Sequence, residues 1–251
     1  MNNSMEILST RYNLDGDKHT YKNTENCGPK YQKEILTKFT ELLPDSSDTH
    51  YDVLDIASGS GETSEFMVSQ GLKSVNLDIT RLGLKLTKDP AVQAEATALP
   101  FREATFRGVH MKDALVHIGN RRRLFAEMVR VLIPEGIMVL TTSETRSRPY
   151  FSYTVNLMNR NISLPATMYF KNTEDYYTKV VRVMSDPATN RNSISPPYYP
   201  NNRVEILIIA EEQGLKLIKA VKWQPPQDNP DWYSSWIKRS VFFFRKTGNN
   251  E

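Results

Sequence analysis

A short apolar segment that runs directly into a glycine-rich turn constrains this chain more than any other feature. Residues 51–57 (YDVLDIA) have the composition of a buried strand, and SGSG follows at residues 58–61. A helical pattern continues through residues 65–68 and is closed by Gly71. Glycines let the backbone approach a ligand closely, and open α/β sheets bind ligands at the carboxyl ends of their strands. The segment therefore predicts the first unit of a ligand-binding α/β domain.

Strand and helix patterns alternate after this unit. Further strands are predicted at residues 74–79, 92–94, 107–111 and 137–141. A short helix is expected near residues 82–87, and Asn120 caps an amphipathic helix with Leu124, Phe125, Met128, Val129 and Leu132 on one face. Alternation at this spacing implies right-handed βαβ units in a mostly parallel sheet.

The segments before and after this alternating region have patterns of their own. Residues 31–43 repeat apolar side chains at helical spacing, whereas residues 143–200 carry no convincing strand. A helix is expected at residues 204–213. Strands at residues 215–223 and 240–244 should pair as an antiparallel hairpin, because no long helical pattern separates them.

The predicted fold class is α/β: a doubly wound, Rossmann-like, seven-stranded, mostly parallel sheet with an antiparallel terminal hairpin. We expect residues 1–48 to form an N-terminal helical segment and residues 49–251 to form the ligand-binding domain. Residues 143–200 are expected to form a cap inserted after strand five, over the substrate.

Composition excludes several classes of protein. The 39% hydrophobic and 24% charged residues are those of an ordinary globular chain, and a net charge of +3 is too small to imply a nucleic-acid partner. The only cysteine, Cys27, allows no internal disulfide, and four scattered histidines give no metal-ligand spacing. The N-terminus lacks a signal-peptide pattern and no apolar run could span a bilayer, so we expect a cytoplasmic protein without membrane contact.

Acidic residues at successive strand ends indicate the ligand. Asp55, Asp78 and Glu95 end or adjoin the first three predicted strands, and a carboxylate at the second position can accept both ribose hydroxyls of an adenosine. A dinucleotide site would present G-x-G-x-x-G, but Ser64 stands in place of the third glycine. Asp55 beside the turn would repel a pyrophosphate and attract the cationic amino end of S-adenosylmethionine (SAM). The charge therefore favours SAM over NAD.

Four motifs in order resemble the class I SAM-dependent methyltransferase family, and specifically its small-molecule enzymes. They are residues 53–67 (VLDIASGSGETSEFM), 76–80 (NLDIT), 94–101 (AEATALPF) and 122–140 (RRLFAEMVRVLIPEGIMVL). In that family an Asp is usual where this chain has Glu95. The fourth strand usually begins Phe-Asp and ends in small residues, whereas this chain reads FRGVHMKDALVHI.

The resemblance implies a set of cofactor-binding residues. Asp55, Ala57, Gly59 and Gly61 would hold the methionine part of SAM. Asp78 and Ile79, after the second strand, would contact the ribose and the adenine. Glu95 and Ala96, after the third strand, would lie beside the adenine, and Met111 of the fourth strand would line the site. If the N-terminal segment closes over the cofactor, Tyr12 and Tyr21 would be contacts.

The segment after the fourth strand faces the transferred methyl group in the resembling family. Asp113 and His117 are therefore candidates for a base or for groups that orient the acceptor. Alternatively, Asp113 pairs with Lys112 or caps a turn, and His117 packs structurally at a helix end. His110 lies inside the strand, which favours a hydrogen-bonded core residue.

The predicted insertion is rich in aromatic side chains, which could form an apolar pocket for an aromatic or apolar small molecule or could fill the core of a helical cap. These are Tyr150, Phe151, Tyr153, Tyr169, Phe170, Tyr176, Tyr177, Tyr198 and Tyr199. Basic groups at residues 121–123, 146, 148, 238 and 239 suit either a solvated surface or RNA phosphates.

Three functions are compatible with these patterns. The first is methyl transfer from SAM, leaving S-adenosylhomocysteine (SAH), to an O, N or C nucleophile of a small molecule. The second is the same chemistry on RNA or protein, and the third is a non-catalytic SAM-binding regulator. An NAD-dependent dehydrogenase is a fourth and more distant alternative.

Overall fold

Ten strands and five helices are present in the computed structural model, which describes residues 29–45, 49–143, 150–157, 160–167, 191–194, 201–223 and 239–248. In chain order the strands are β1 (Val53–Ile56), β2 (Ser74–Asp78), β3 (Ala91–Gln93), β4 (Phe106–Lys112), β5 (Leu132–Ser143), β6 (Tyr150–Leu157), β7 (Arg160–Thr167), β8 (Arg191–Ile194), β9 (Leu215–Trp223) and β10 (Arg239–Lys246). Some predicted positions lie outside the described residues: Tyr12, Tyr21, Cys27, Arg146, Arg148, Tyr169, Phe170, Tyr176, Tyr177, Tyr198, Tyr199 and Lys238.

Seven of these strands form one sheet in the order β3-β2-β1-β4-β5-β10-β9. The strands from β3 to β5 are parallel, and β10 runs antiparallel to both β5 and β9. This topology confirms the predicted fold class, including the terminal hairpin. The strand order reverses beside β1, which places the turn after β1 at the position where open α/β sheets bind ligands.

Two of the helices begin at an asparagine whose side chain caps the first turn. Helix α1 (residues 29–42) contains a π-helical turn, Gln32–Leu36, followed by Thr37–Leu42. The others are α2 (Glu62–Ser69), α3 (Arg81–Leu84), α4 (Arg121–Val131) and α5 (Arg203–Glu212). The Asn120 side chain accepts a hydrogen bond from the Arg123 backbone, which confirms the predicted cap of α4. No helix in the described ranges is long and apolar enough to cross a membrane.

Apolar side chains pack against both faces of the sheet. Leu54 and Ile56 face a core built with α4 and α5, while Val53 faces a second core built with α1. Helix α1 lies close to β4 because residue 108 is glycine: a Cβ there would be 2.6 Å from the Phe39 ring. This close approach brings the start of α1 to the carboxyl ends of β4 and β5.

The prediction that residues 143–200 carry no strand is wrong. Strands β6, β7 and β8 form a separate antiparallel sheet in the order β7-β6-β8. The pattern of β6, YFSYTVNL, alternates apolar and polar residues with the period of a half-buried strand. Pro165 lies in β7, an edge strand, where a missing backbone N–H is tolerated.

Candidate active site

The turn after β1 is held in left-handed backbone conformations. Ala57 has φ 55°, Gly59 has φ 56° and Gly61 has φ 87°. A Cβ on Gly61 would lie 2.7 Å from Thr87 Oγ1, and a Cβ on Gly83 of α3 would lie 2.5 Å from the Gly59 carbonyl oxygen. Glycine at position 83 therefore lets α3 pack against the turn, and glycine at position 61 leaves room for Thr87.

Asp78, at the end of β2, fastens the same turn from the other side. Its Oδ2 accepts from the Gly59 backbone N–H at 3.0 Å, and its Oδ1 accepts from the Thr80 backbone N–H at 2.8 Å and from the Thr80 hydroxyl at 2.9 Å. Burial raises the pKa of the Asp78 carboxyl, although these hydrogen bonds act to lower it. Three accepted bonds leave a carboxylate capacity for about one more donor.

Asp55 lies in β1 beside this turn and is almost fully buried. Its Oδ1 is 2.7 Å from His110 Nδ1 on the neighbouring strand β4. The other ring nitrogen of His110 is 3.1 Å from the Tyr31 hydroxyl, which in turn is 2.6 Å from Thr141 Oγ1. His110 is a hydrogen-bonded core residue, as its position in the strand predicts.

The predicted adenine-side residues follow β2 and β3. The Ile79 carbonyl accepts from Gln93 Nε2 at 2.9 Å, and Glu95 Oε1 accepts from the Thr97 hydroxyl at 2.7 Å. Ala96 is half-buried and packs against the main core. The structure places these residues at the carboxyl ends of adjacent strands, as the motifs imply, while their contacts with a cofactor stay a prediction.

Met111 is placed deeper than the other predicted contacts. Its side chain is fully buried, and its backbone pairs with Ile56 on one side and Leu140 on the other. It therefore belongs to the main core under the turn, and its contact with a cofactor also stays a prediction.

The strand-end carboxylates share an electrostatic property. Within the described ranges, neither Asp55, Asp78 nor Glu95 forms an ion pair with a lysine or arginine. In addition, the buried Ser58 Oγ in the turn has no hydrogen-bond partner in this part of the chain. Negative charge, a spare hydroxyl and close-approach glycines make this edge suited to a ligand with a cationic end and several hydrogen-bonding groups.

Asp113 follows β4 directly, at φ 56°. Arg239 Nε lies 2.8 Å and 2.7 Å from its two carboxylate oxygens, and Lys112 Nζ lies 3.1 Å from one of them. Although burial acts to raise it, the pKa of Asp113 is lowered because Lys112 and Arg239 stabilise the carboxylate. The pairing with Lys112 is the predicted alternative to a base, and Arg239 is a partner that sequence spacing did not indicate.

His117 ends the 3₁₀ turn Leu115–His117 that follows Asp113. Its backbone N–H donates to the Ala114 carbonyl at 2.9 Å, and its side chain is half-buried. The structure thus places both predicted catalytic residues after β4, on the same side of the sheet edge as the glycine turn. The role of His117 stays a prediction.

The basic run at the start of α4 faces α5. Arg121 pairs with Glu205 at 2.7 Å and Arg122 pairs with Glu212 at 2.9 Å. Arg123 lies 3.8 Å from Glu127 of its own helix. Because these charges are matched within the fold, they give little support to an RNA-binding surface.

Residues from outside the motifs complete the site. Tyr31 contacts His110 from α1, its ring meets Trp223 edge-on at 5.2 Å between centroids, and Lys112 Nζ lies 5.3 Å from its ring centroid. The sequence signals His110, because a histidine within an apolar strand stands out from its neighbours. It does not signal Tyr31, because nothing in the pattern of α1 distinguishes this residue from its apolar neighbours. In the described ranges, no three His, Cys, Asp or Glu side chains converge as metal ligands.

The strand order and this strand-end site define a class: a doubly wound α/β domain with a ligand site beside its first strand. Residues 54–140 match the family described as "Methyltransferase domain". These residues therefore resemble a methyltransferase domain, in agreement with the resemblance that the four motifs carry.

Two curated relatives resemble this part of the chain. Demethylmenaquinone methyltransferase of Renibacterium salmoninarum is 36% identical over 93 residues, which cover 35% of this chain and 39% of that protein. Ubiquinone/menaquinone biosynthesis C-methyltransferase UbiE of Escherichia fergusonii is 33% identical over 133 residues, which cover 45% of this chain and 53% of that protein. The matches therefore span between 39% and 53% of these relatives' own lengths.

A solved structure extends the likeness of fold. Burkholderia thailandensis 1,6-didemethyltoxoflavin-N1-methyltransferase, solved with 1,6-didemethyltoxoflavin and S-adenosylhomocysteine, superposes with a TM-score of 0.53. The match covers 97% of this chain and 88% of that one at 13% sequence identity. At this identity the likeness supports the fold alone.

Proposed function

We propose that this protein is an enzyme that transfers a methyl group from SAM to an O, N or C nucleophile of a small molecule. The observation that carries the proposal is the turn after β1, in a methyltransferase domain, flanked by carboxylates that lack a lysine or arginine partner in the described ranges. SAM has a cationic amino group, which suits the charge of Asp55, and a ribose, which suits the acceptor capacity of Asp78.

In the proposed complex the methionine part lies along the turn, where Ala57, Gly59 and Gly61 allow close approach and Asp55 attracts the amino group. The ribose lies at Asp78, whose remaining acceptor capacity suits a hydroxyl. Ile79, Glu95 and Ala96 flank the adenine, and Met111 supports the site from beneath. The pyrophosphate of NAD would be repelled by the negative charge of Asp55. In addition, Ser64 replaces the third glycine of the dinucleotide-binding motif, so both features disfavour the dehydrogenase alternative.

When bound, SAM supplies a methyl group that an aligned nucleophile displaces in line from sulfur, so orientation provides much of the acceleration. Asp113 is a poor base because its two cations hold its pKa low. We therefore assign Asp113 to orienting Lys112 and Arg239 at the acceptor side. His117 is the candidate base where the acceptor must lose a proton.

The names of the relatives support a small-molecule acceptor. One is a C-methyltransferase of quinone biosynthesis and another an N1-methyltransferase of a didemethyltoxoflavin. The methylated atom differs between them, so the proposal includes both carbon and heteroatom nucleophiles. Matched charges on α4 weaken the RNA alternative.

Transfer of label from methyl-tritiated SAM to separated small-molecule, RNA and protein fractions of a cell extract tests the proposal. We expect label in the small-molecule fraction, and we expect His117→Ala to reduce transfer while SAM binding is kept. Label in RNA or protein would favour the second hypothesis. SAM binding without transfer to any fraction would favour the non-catalytic regulator.

A further inference from the structure

A continuous series of buried polar side chains connects helix α1 to the first strand. It runs from Thr141 of β5 through Tyr31 of α1 and His110 of β4 to Asp55 of β1, with separations of 2.6, 3.1 and 2.7 Å. Their relative exposures are 0% for Thr141, Tyr31 and His110 and 2% for Asp55. Groups from four elements therefore meet out of contact with bulk water.

The chemistry of the side chains determines which atom donates and which accepts at each step of this series. An ionised carboxylate only accepts hydrogen bonds, so the proton on the Asp55 side belongs to His110 Nδ1. In the neutral imidazole Nε2 is an acceptor, which the Tyr31 hydroxyl satisfies, and the Thr141 hydroxyl can donate to Tyr31. With a neutral ring, Asp55 receives a directed hydrogen bond and keeps its full negative charge.

The surroundings indicate that the series does more than fill the core. The neighbouring residues of α1 that face the sheet, Ile35, Leu36 and Phe39, are apolar, and an apolar side chain at position 31 would continue that pattern. Buried polar groups are costly unless they are fully hydrogen-bonded. Here the bonded groups end on Asp55, the carboxylate of β1 that lies beside the glycine turn.

We propose that His110, supported by Tyr31, is a positioning residue that aims the Asp55 carboxylate at the amino group of bound SAM. This inference rests on the proposed function. His110 and Tyr31 touch neither the donor nor the acceptor: Tyr31 fixes Nε2 of the ring, and the ring fixes the rotamer of Asp55. Helix α1 thereby contributes to cofactor affinity without a contact of its own.

Calorimetric titration with two ligands tests the proposal. SAH carries the amino-acid part, whereas 5′-methylthioadenosine has the same adenosine and thioether without it. We expect His110→Leu to weaken SAH binding roughly tenfold, because a hydrogen bond to a charged group is lost, and to leave 5′-methylthioadenosine binding unchanged. His110→Asn, whose amide can still donate toward Asp55, should restore most of the SAH affinity.

Tyr31→Phe removes one oxygen atom and keeps the ring that packs on Trp223, so it tests the proposal even if His110 variants fold poorly. We expect it to weaken SAH binding about threefold, again without effect on 5′-methylthioadenosine. Tyr51→Phe, at the opposite end of β1, is the matched control and should change neither affinity.

Equal weakening of both ligands in the variants, or weakening of neither, would overturn the positioning role while the proposed function stands. Failure of the unmodified protein to bind SAH would instead overturn the proposed function and this inference with it.

Discussion

The proposed cofactor side of the candidate site, with Asp55 and Asp78, and the proposed acceptor side, with Asp113, hold their carboxylates differently. Asp55 and Asp78 are buried and held by an imidazole, backbone N–H groups and a hydroxyl, without a lysine or arginine partner in the described ranges. Asp113 is held by Lys112 and Arg239, two full positive charges. Both groups lie at carboxyl ends of strands in one sheet.

The difference shows how one sheet edge can serve two tasks. Neutral donors fix a carboxylate in place and leave its charge available to a cationic ligand, whereas two cations neutralise a carboxylate and leave a net positive charge. The cofactor side is thus suited to attract an ammonium group. On the acceptor side, the Asp113 carboxylate is suited to orient Lys112 and Arg239 and is a poor base. Each half can be perturbed separately.

The largest effect is expected where the backbone of the turn is altered. Gly61→Ala places a Cβ against Thr87 at a left-handed position, which should lower the free energy of unfolding by about 2–4 kcal/mol. Gly71→Ala is the control, since Gly71 has φ 79° but nothing within 4 Å of its Cβ position, and should cost only about 1 kcal/mol. Urea unfolding measures both; equal losses would contradict the close approach at Gly61.

Next in size is the loss of negative charge on the cofactor side. Asp55→Asn should weaken SAM binding by about 2 kcal/mol, roughly thirtyfold, because a charge-assisted interaction with the amino group is lost. Asp52→Asn makes the same change at the other end of β1, where Asp52 pairs with Arg107 at 2.7 Å. Calorimetry should find the SAM affinity of Asp52→Asn unaltered. Similar losses of affinity in both variants would mean that the charge of Asp55 has no special role in binding SAM.

The acceptor side should respond in stability more than in cofactor affinity. Asp113→Asn keeps a residue that tolerates positive φ but breaks the ion pairs, and should cost about 1 kcal/mol of unfolding free energy at pH 7. Because the folded pKa of Asp113 is lowered, its contribution is present above its unfolded pKa of about 4 and is lost as pH falls through the folded value.

Urea unfolding at a series of pH values checks this dependence. The difference between the unmodified protein and Asp113→Asn should shrink below about pH 4. Glu135→Gln, which alters the exposed pair with Arg245, is the control and should show no measurable change at pH 7. A difference that persists unchanged into acid would mean that the ion pairs do not stabilise the fold.

The smallest effect is a pH dependence of cofactor affinity. Burial raises the pKa of Asp78, so this carboxyl takes up a proton at a higher pH than an ordinary aspartate and then loses acceptor capacity. SAM affinity should fall about threefold on acidification, with the fall beginning above pH 4. In Asp78→Asn, which cannot titrate, binding should be weaker throughout and this component of the pH profile should be absent.

The strand-end positions of the proposed cofactor side could be predicted from sequence because the parts are local, while their contacts with a cofactor stay a prediction. The glycine turn, Asp55, Asp78 and Glu95 each adjoin a strand whose pattern is legible, and parallel strands bring their carboxyl ends together whatever the side-chain details. The supporting contacts on both sides depend on distant segments. On the acceptor side Arg239 reaches Asp113 across 126 residues of sequence, and on the cofactor side Tyr31 reaches His110 across 79.

Hydrophobic periodicity does not specify such partners. It indicates which face of a helix or strand a residue occupies, but it does not identify the residue's neighbour on another element. Strand β6 differs from these long-range contacts, because its signal is local: YFSYTVNL alternates apolar and polar residues with a period of two. The aromatic residues of this segment are equally compatible with a pocket or a cap, so aromatic content does not identify the strand, whereas its period does.

The most direct test is calorimetric titration of the purified protein with SAM and with SAH, with Asp78→Ala as the comparison. A SAM-dependent methyltransferase should bind both ligands saturably, and the substitution should weaken both because it removes the ribose acceptor and one anchor of the turn. Failure of the unmodified protein to bind either ligand would contradict the proposed function.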